Sequence, residues 1–273
     1  MPPYGVGMTE NAAADSATIS QFFRARDGVR LHYTQMGQGR AIILLHGLFS
    51  NATVNWVKYG HAAAVAAAGY RVIMPDLRAH GQSNAPHDAA HYPADILSSD
   101  LADLVAHLGL DDFDLGGFSL GARTIVRALV TQLVSPNRVI LGGMGLAGLS
   151  NWAVRGDFFR RVIDQYDGAK RGDDIWMAVQ FMKTMGVDRT AARHLLASLV
   201  DTPVRALSSI HQPTLVVCGS EDRDNGDPAA LAAALAHAQH AVIPGTHMGC
   251  IVGRDLGRAM ARFLRGTVPA IDA

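Results

Sequence analysis

Short apolar runs that alternate with stretches of helical periodicity constrain the fold of this chain more than any other feature. Residues 41–45 (AIILL), 70–75 (YRVIMP) and 213–219 (PTLVVCG) are mostly apolar without alternation, which is typical of strands buried on both faces. Between the first two and the third lies a predicted helix over Pro93–Leu108, whose apolar residues recur at helical spacing. Because parallel strands need helical crossovers, the pattern predicts an α/β fold with a mostly parallel sheet and helices on both faces.

The remaining predicted elements extend this pattern in both directions. The segments 21–26 and 29–37 flank Asp27-Gly28, a favoured two-residue turn, and therefore predict a hairpin. Further elements are predicted as helices at 61–68, 228–237 and 256–264 and as strands at 138–145 and 240–245. Residues 21–149 and 206–273 are thus expected to form one α/β core domain.

Residues 150–205 interrupt the alternation. They have helical periodicity but no convincing strand, so they predict a helical cap inserted late in the sheet. The segment is rich in large apolar side chains, some of which should roof an apolar pocket for a small or medium acyl chain. We expect Trp152 and Trp176 from this segment, and Phe49 from the core, to contact the substrate.

Charge and composition exclude several functional classes. The 273-residue chain has 24 basic and 24 acidic residues and no long basic run, so nucleic acid and anionic membrane surfaces are not expected partners. Apolar residues make up 49% of the chain and charged residues 18%, which favours a well-buried core. The two cysteines, Cys218 and Cys250, are interpreted as packed thiols, and no residues have metal-ligand spacing. We therefore expect no metal and no cofactor.

The length of the apolar runs and the character of the N-terminal segment indicate where in the cell the protein is located. No apolar run reaches the ~18 residues of a membrane span, and residues 1–20 have neither the basic start nor the apolar core of a secretory signal. Cytoplasmic location is therefore the default expectation. Residues 1–20 are predicted to be a flexible leader, and the sequence leaves open whether Met1 or Met8 is the true start.

The segment 112–127 (DFDLGGFSLGARTIVR) predicts a strand, a sharp turn and a helix, with Ser119 at the apex. This is the context of a G-x-S-x-G nucleophile elbow, in which the serine hydroxyl stands clear of the sheet. Side chains at Gly117 and Gly121 would collide across such a turn. The N-terminal amides of the following helix favour an oxyanion at the same point.

An activated serine needs a base and an acid that orients the base. His247 follows the last predicted strand, and because the carboxyl ends of parallel strands share one edge, it can reach the edge where Ser119 projects. The other histidines lie mostly on helices or early in strands, where surface or packing roles are expected. The turn after strand 213–219 offers Glu221, Asp222 and Asp224, of which we select Asp222 because the turn has room there to direct a carboxylate at the imidazole.

Two backbone amides are expected to hold the oxyanion. One belongs to Leu120, next to the serine. The other belongs to Leu48, in the tight turn that His46-Gly47 allow after strand 41–45. His46 itself is interpreted as a structural residue of this turn.

With these residues assigned, the chain resembles the α/β-hydrolase fold family over essentially residues 21–266. The matching motifs stand in the order and spacing of that family: HGLF (46–49), D-x-R-A-H-G-x-S (76–83), GFSLG (117–121), GSED (219–222) and GTH (245–247). The resemblance implies an eight-stranded, mostly parallel sheet, a Ser119–His247–Asp222 triad, and oxyanion amides at Leu48 and Leu120. It also implies that residues Asp76, Arg78 and Ser83 belong to a structural loop. Ala122 stands where many members have a second glycine, and the first 20 residues have no counterpart.

The identity of the nucleophile narrows the range of reactions expected for this chain. Members resembling epoxide hydrolases or haloalkane dehalogenases have aspartate where this chain has Ser119, which forms an acyl ester instead. We therefore expect hydrolysis of a small-molecule carboxylic ester, lactone or thioester. A carbon–carbon bond hydrolase, a cofactor-free perhydrolase or haloperoxidase-like enzyme, and a ligand-binding receptor-like protein of the same fold remain alternatives. The sequence leaves the oligomeric state open.

Overall fold

A computed structural model describes residues 18–266 of the chain. The predicted leader at 1–20 and the choice between Met1 and Met8 lie almost entirely outside these residues. Ile19 already pairs with Gln35 in the first hairpin, so the predicted boundary at residue 20 was two residues too late. Pairing with the opposite strand thus extends the hairpin beyond the predicted segment 21–26.

Eight strands form one sheet, as predicted. They are β1 (Ile19–Arg24), β2 (Arg30–Met36), β3 (Arg40–Leu45), β4 (Tyr70–Pro75), β5 (Phe113–Phe118), β6 (Val139–Gly142), β7 (Thr214–Gly219) and β8 (Ala238–Ile243). Their spatial order is β1-β2-β4-β3-β5-β6-β7-β8. The β1–β2 and β2–β4 pairs are antiparallel and the other pairs are parallel. The sheet is therefore mostly parallel, with one antiparallel edge.

The helices occupy the crossovers between these strands. In chain order they are α1 (His61–Ala66), α2 (Ile96–His107), α3 (Leu120–Val130), α4 (Trp152–Asp164), α5 (Trp176–Thr184), α6 (Arg189–Ser198), α7 (Pro228–Ala234), α8 (Gly249–Val252) and α9 (Asp255–Leu264). The predicted helices at 61–68 and 228–237 end earlier than expected, because alanine-rich sequence carries no stop signal of its own. Among residues 18–266, none of the helices combines the length and the apolar character that crossing a bilayer requires.

The two faces of the sheet carry separate apolar cores. In β3, Ile43 and Leu45 pack into a core that includes side chains of α2 and α3. The alternate residues Ile42 and Leu44 pack into a second core with side chains of α1 and α9. Strands with apolar side chains on both faces explain the continuous apolar runs of the sequence.

Helices α4, α5 and α6 lie in the segment between β6 and β7 and share a third apolar core. Its fully buried members are Val162, Ile163, Val179 and Met182. These residues recur at helical spacing on α4 and α5, so each helix directs one apolar face at the others. The three helices thus have a core of their own beside the two cores of the sheet.

Candidate active site

Ser119 lies between the end of β5 and the start of α3, with φ 52° and ψ −110°. A non-glycine residue in this region costs on the order of 1–3 kcal/mol, so the surrounding structure must hold it there. The Ser119 amide donates to the Gly142 carbonyl at 2.9 Å, and the Ser119 carbonyl accepts from the Arg123 amide at 3.0 Å. Backbone bonds on both sides therefore fix the strained turn.

Close backbone contacts explain the two glycines of the motif. A Cβ atom at Gly117 would lie 2.5 Å from the carbonyl carbon of Gly121, across the turn. A Cβ atom at Gly121 would lie 2.1 Å from the carbonyl oxygen of Leu45, at the end of β3. The first contact is the collision expected from the sequence, whereas the second is with the neighbouring strand. Only glycine fits at either position without a backbone shift.

Asp222 and His247 lie in the loops that follow β7 and β8. The His247 Nδ1 atom donates to Asp222 Oδ2 at 2.8 Å, and the amide of Asp224 donates to Asp222 Oδ1 at 3.1 Å. The Asp222 side chain is 3% exposed and that of His247 is 13% exposed. An ionised carboxylate only accepts hydrogen bonds, so Nδ1 carries the proton and Nε2 of the neutral ring has a free lone pair.

Burial raises the pKa of Asp222, but the hydrogen bond from His247 and its charge lower it, and the pKa lies below its ordinary value. Asp222 is therefore ionised at neutral pH. An ionised Asp222 stabilises the positive charge that His247 acquires when it takes a proton.

The loops that carry Asp222 and His247 cross in close contact. A Cβ atom at Gly219 would lie 2.1 Å from the Gly245 carbonyl oxygen. The Ser220 amide donates to the Ile243 carbonyl at 2.7 Å, and the Glu221 amide donates to the Gly245 carbonyl at 3.0 Å. These bonds bring the acid and the base together although they are 25 positions apart in the chain.

The imidazole of His247 packs beside the elbow. Its ring centre lies 4.9 Å from that of Phe118, the residue before Ser119. A Cβ atom at Gly143, after β6, would lie 3.0 Å from His247 Cε1 and 2.5 Å from Phe118 Cζ. His247 thus lies at the same sheet edge as Ser119, as the predicted topology requires.

The loop after β3 lies directly against Ser119. A Cβ atom at Gly47 would lie 3.6 Å from Ser119 Cβ. The amides on either side of Leu48 are occupied: that of Gly47 donates to Asn55 Oδ1 at 3.0 Å and that of Phe49 donates to His80 Nε2 at 3.0 Å. Within residues 18–266, no acceptor bonds the Leu48 amide.

Leu120 is the first residue of α3, and amides in the first turn of a helix have no intrahelical acceptor. The amides of Leu48 and Leu120 therefore both remain available beside Ser119. Their role in binding an oxyanion stays a prediction.

Two buried histidines hold the Leu48 loop. His46 Nδ1 donates to the Gly47 carbonyl at 2.8 Å, and its Nε2 accepts from the Leu77 amide at 2.9 Å. His80 Nδ1 donates to the Arg78 carbonyl at 2.9 Å. Burial lowers the pKa of both imidazoles, that of His80 to about 3. Both rings are therefore neutral and act as rigid bridges between backbone segments, in agreement with a structural role for His46.

The loop over residues 76–83 is buried and supports the same region. Asp76 accepts from the Ala52 amide at 2.8 Å and pairs with His32 at 2.8 Å, and the Ser83 hydroxyl donates to the Asp76 carbonyl at 2.6 Å. The Arg78 guanidinium forms ion pairs with the carboxylates of Asp27 and Asp100. None of these contacts involves Ser119, Asp222 or His247.

A cavity opens beside Ser119. Its lining combines apolar side chains with two arginines and one amide, and consists of Leu48, Ser119, Leu120, Arg123, Met144, Gly148, Trp152, Arg155, Phe159 and Asn225. The mixture of apolar walls and a few polar groups is typical of a site for a small molecule.

Of the three residues predicted to contact substrate, only Trp152 lines this cavity. Phe49 is 2% exposed and packs into the core of the helical insert, edge-to-face with Phe159 at 5.9 Å between ring centres. Its backbone has φ 60°, and its side chain is buried in that core instead of lining this cavity. Trp176, at the start of α5, is half-buried away from the cavity lining. Substrate contact by Trp152 stays a prediction.

Sequence reasoning missed five cavity residues: Arg123, Met144, Gly148, Arg155 and Asn225. Phe159 belongs to the apolar side chains of the insert, some of which were expected to roof the pocket. Arg123 carried a usable signal, because it lies four positions after Ser119 and so on the same face of α3. Asn225 donates to the Gly143 carbonyl at 2.6 Å and joins the loops after β6 and β7. The position of Asn225 at the cavity depends on this contact between two loops, which sequence spacing does not reveal.

Three potential metal ligands also meet here. One atom each of Asp222, Asp224 and His247 lies within 4.8 Å of the others. Sequence spacing did not predict this group, because His247 comes from a different loop. Asp222 Oδ2 and His247 Nδ1 bond each other in this group.

Comparisons with known proteins agree with this architecture. The sequence profile of a family described as the alpha/beta hydrolase fold matches residues 40–172. An epoxide hydrolase from Caballeronia sordidicola is 32% identical over 163 residues, which are 59% of this chain and 46% of that protein. The chain matches less than half the length of the epoxide hydrolases among its curated relatives.

Other relatives align over more of their length. A 2-hydroxy-6-oxononadienedioate/2-hydroxy-6-oxononatrienedioate hydrolase from Pseudomonas putida is 27% identical over 244 residues, covering 76% of this chain and 81% of that protein. The structure of a thermophilic esterase from Thermogutta terrifontis superposes with a TM-score of 0.73 at 22% identity, covering 90% of this chain and 99% of that one. At this identity the superposition shows a common fold.

Proposed function

Because the chain belongs to the α/β-hydrolase fold family, we propose that it is a serine hydrolase that cleaves a small or medium carboxylic ester, lactone or thioester. The observation that carries the proposal is the Asp222–His247 hydrogen bond at 2.8 Å, at the sheet edge where Ser119 occupies a strained turn. A base held in this tautomer beside a serine is the arrangement that nucleophilic acyl transfer needs.

The proposed reaction has two halves. His247 Nε2 takes the proton of the Ser119 hydroxyl while its oxygen attacks the carbonyl carbon, and Asp222 stabilises the imidazolium. The amides of Leu48 and Leu120 bind the tetrahedral oxyanion, each contributing roughly 3 kcal/mol. The imidazolium then protonates the leaving alcohol or thiol. Water repeats the sequence on the acyl-enzyme and releases the acid.

A serine nucleophile does not suit the hydrolysis of epoxides. Opening an epoxide with the Ser119 oxygen would leave an alkyl ether, which has no carbonyl for water to attack. An acyl ester on Ser119 has such a carbonyl, so the enzyme regenerates. The resemblance to epoxide hydrolases therefore extends to the fold and not to the proposed substrate.

A second candidate is hydrolysis of a carbon–carbon bond next to a carbonyl. The alignment over 81% of the Pseudomonas putida hydrolase favours keeping this alternative. It would use the same serine, base and oxyanion amides on a ketone, with a carbanion in place of the alkoxide as leaving group.

Turnover of p-nitrophenyl acetate and p-nitrophenyl butyrate tests the first proposal, with Ser119→Ala as the variant. We expect hydrolysis by the wild type and its loss in Ser119→Ala at an unchanged melting temperature, since one partly exposed hydroxyl is removed. Ser209→Ala, at an exposed serine outside the site, is the matched control and should retain wild-type rates. A folded wild type that turns over neither ester would contradict the proposal and favour a binding protein. Hydrolysis of a vinylogous diketone, assayed beside the esters, distinguishes a carbon–carbon bond hydrolase from an esterase.

A further inference from the structure

Arg155 differs from the other arginines of helix α4 in having no acidic partner. Arg160 pairs with Asp157, and Arg161 pairs with Asp174. The Arg155 side chain lines the cavity beside Ser119 and bonds the backbone carbonyl of Asp224. Within residues 18–266, no carboxylate lies within ion-pair distance of its guanidinium.

Neither of the nearby carboxylates, those of Asp222 and Asp224, forms an ion pair with Arg155. Asp222 is occupied by His247 and the Asp224 amide. Burial and the charge of Arg123 lower the pKa of Arg155, and the charges of Asp224 and Asp222 offset this effect only in part, so that the pKa lies below its ordinary value. An arginine in this position would be stabilised by an anion that enters the cavity.

Arg123 supplies a second, independent sign of an unfilled polar site. It lines the same cavity and is 3% exposed. Its terminal nitrogens donate to the Gly148 carbonyl at 2.5 Å and to Asp201 at 2.8 Å, and to the Val200 carbonyl at 2.9 Å. Its Nε atom is buried and has no partner. Buried donors are nearly always satisfied, so Nε is a donor for which the described residues supply no acceptor.

The rest of the lining strengthens the effect of these charges. Leu48, Leu120, Met144, Trp152 and Phe159 give the cavity mostly apolar walls. In such surroundings a charge-assisted hydrogen bond is stronger than in water, and a guanidinium presents a fork that matches a carboxylate. Ser119 and both arginines line the same cavity, so one ligand bound there can contact the hydroxyl and both cations.

We propose that this cavity is a carboxylate subsite, and that the substrate is a monoester of a dicarboxylic acid, or a similar molecule with a free carboxylate besides the bond that is cleaved. The free carboxylate lies against Arg155, with Arg123 behind it, and the ester carbonyl lies at Ser119. The inference rests on the proposed serine hydrolase function and adds the class of substrate to it.

Two esters of the same shape test the subsite. In methyl 6-methylheptanoate an isopropyl group replaces the free carboxylate of monomethyl adipate. We expect the wild type to have the higher kcat/KM on monomethyl adipate. Arg155→Met removes the charge at similar length and should lower the ratio of the two kcat/KM values about tenfold or more, the loss expected for a charge-assisted hydrogen bond. Arg155→Lys should retain part of the preference.

Arg160→Met, on the solvent side of the same helix, is the matched control and should leave the ratio unchanged. Calorimetric binding of adipate to the wild type and to Arg155→Met gives a readout that does not need turnover. If neither ester is cleaved but adipate binds and Arg155→Met weakens its binding, the hydrolase proposal fails and the subsite stands. Equal kcat/KM values on the two esters, or adipate binding that Arg155→Met does not change, would overturn the subsite.

Discussion

Replacing Asp222 by asparagine removes one acceptor from a carboxylate that serves two donors. Asp222 Oδ2 accepts from His247 Nδ1 at 2.8 Å, and Oδ1 accepts from the Asp224 amide at 3.1 Å. A carboxamide has one acceptor oxygen and one NH2 donor. If its oxygen faces the Asp224 amide, its NH2 faces Nδ1 and forces the proton onto Nε2. The imidazole is then a donor towards Ser119 and cannot act as base.

The opposite orientation of the carboxamide keeps the proton on Nδ1 of His247, but it is higher in free energy. The carboxamide NH2 then meets the Asp224 amide, and two buried donors lose their acceptor at about 1–3 kcal/mol each. The sum of about 2–6 kcal/mol corresponds to a loss of about 30-fold to 10⁴-fold in kcat, at 1.36 kcal/mol per factor of ten. Asp-to-Asn substitutions in other triads reach about 10⁴, so we expect the upper part of this range.

Steady-state hydrolysis of p-nitrophenyl butyrate, with circular dichroism to verify folding, measures the effect. Asp224→Asn is the matched control, because the Asp224 carboxylate is exposed and its backbone rather than its side chain bonds Asp222. It should change kcat by less than about twofold, since exposed charges contribute little. A large loss in Asp224→Asn with near-normal rates in Asp222→Asn would show that the acid is assigned to the wrong residue.

Three further outcomes follow from the surroundings of the site. Gly121→Ala places a Cβ atom 2.1 Å from the Leu45 carbonyl oxygen and should lower both melting temperature and kcat, whereas Gly253→Ala, in open space, should lower neither. Burial lowers the pKa of His80 to about 3, whereas the ring in the unfolded chain titrates near 6.5, so the free energy of unfolding falls as the pH drops below about 6.5. Urea unfolding should show that His80 accounts for a loss of about 2 kcal/mol between pH 7.5 and 5, and this loss should be absent in His80→Asn. Asn55→Leu removes the acceptor of the Gly47 amide and should reduce kcat/KM about tenfold by loosening the loop that carries Leu48, while a rate equal to wild type would contradict that role.

Local sequence patterns predicted the fold and the main residues of the candidate site. Continuous apolar runs identify strands buried on both faces, and a serine between two glycines after such a strand identifies a turn that excludes side chains. The parallel topology then places Asp222 and His247 at the same edge as Ser119, because loops at the carboxyl ends of parallel strands share that edge.

Tertiary contacts decided what the sequence could not predict. Nothing in the sequence marks Phe49 as a non-glycine residue with φ 60°, so its burial in the helical insert instead of the pocket was not foreseen. Arg155 was missed for a related reason. Whether an arginine on an amphipathic helix has an acidic partner depends on loops distant in the chain, and here the loop of Asp224 offers a carbonyl.

Covalent labelling tests the central claim most directly, because it reports the reactivity of one hydroxyl without a choice of substrate. The protein is treated with a fluorophosphonate probe, digested, and analysed by mass spectrometry. We predict one adduct per chain, on Ser119, and strongly reduced labelling in His247→Ala. A folded protein that remains unlabelled at Ser119, or that carries the adduct on another residue, would contradict the account.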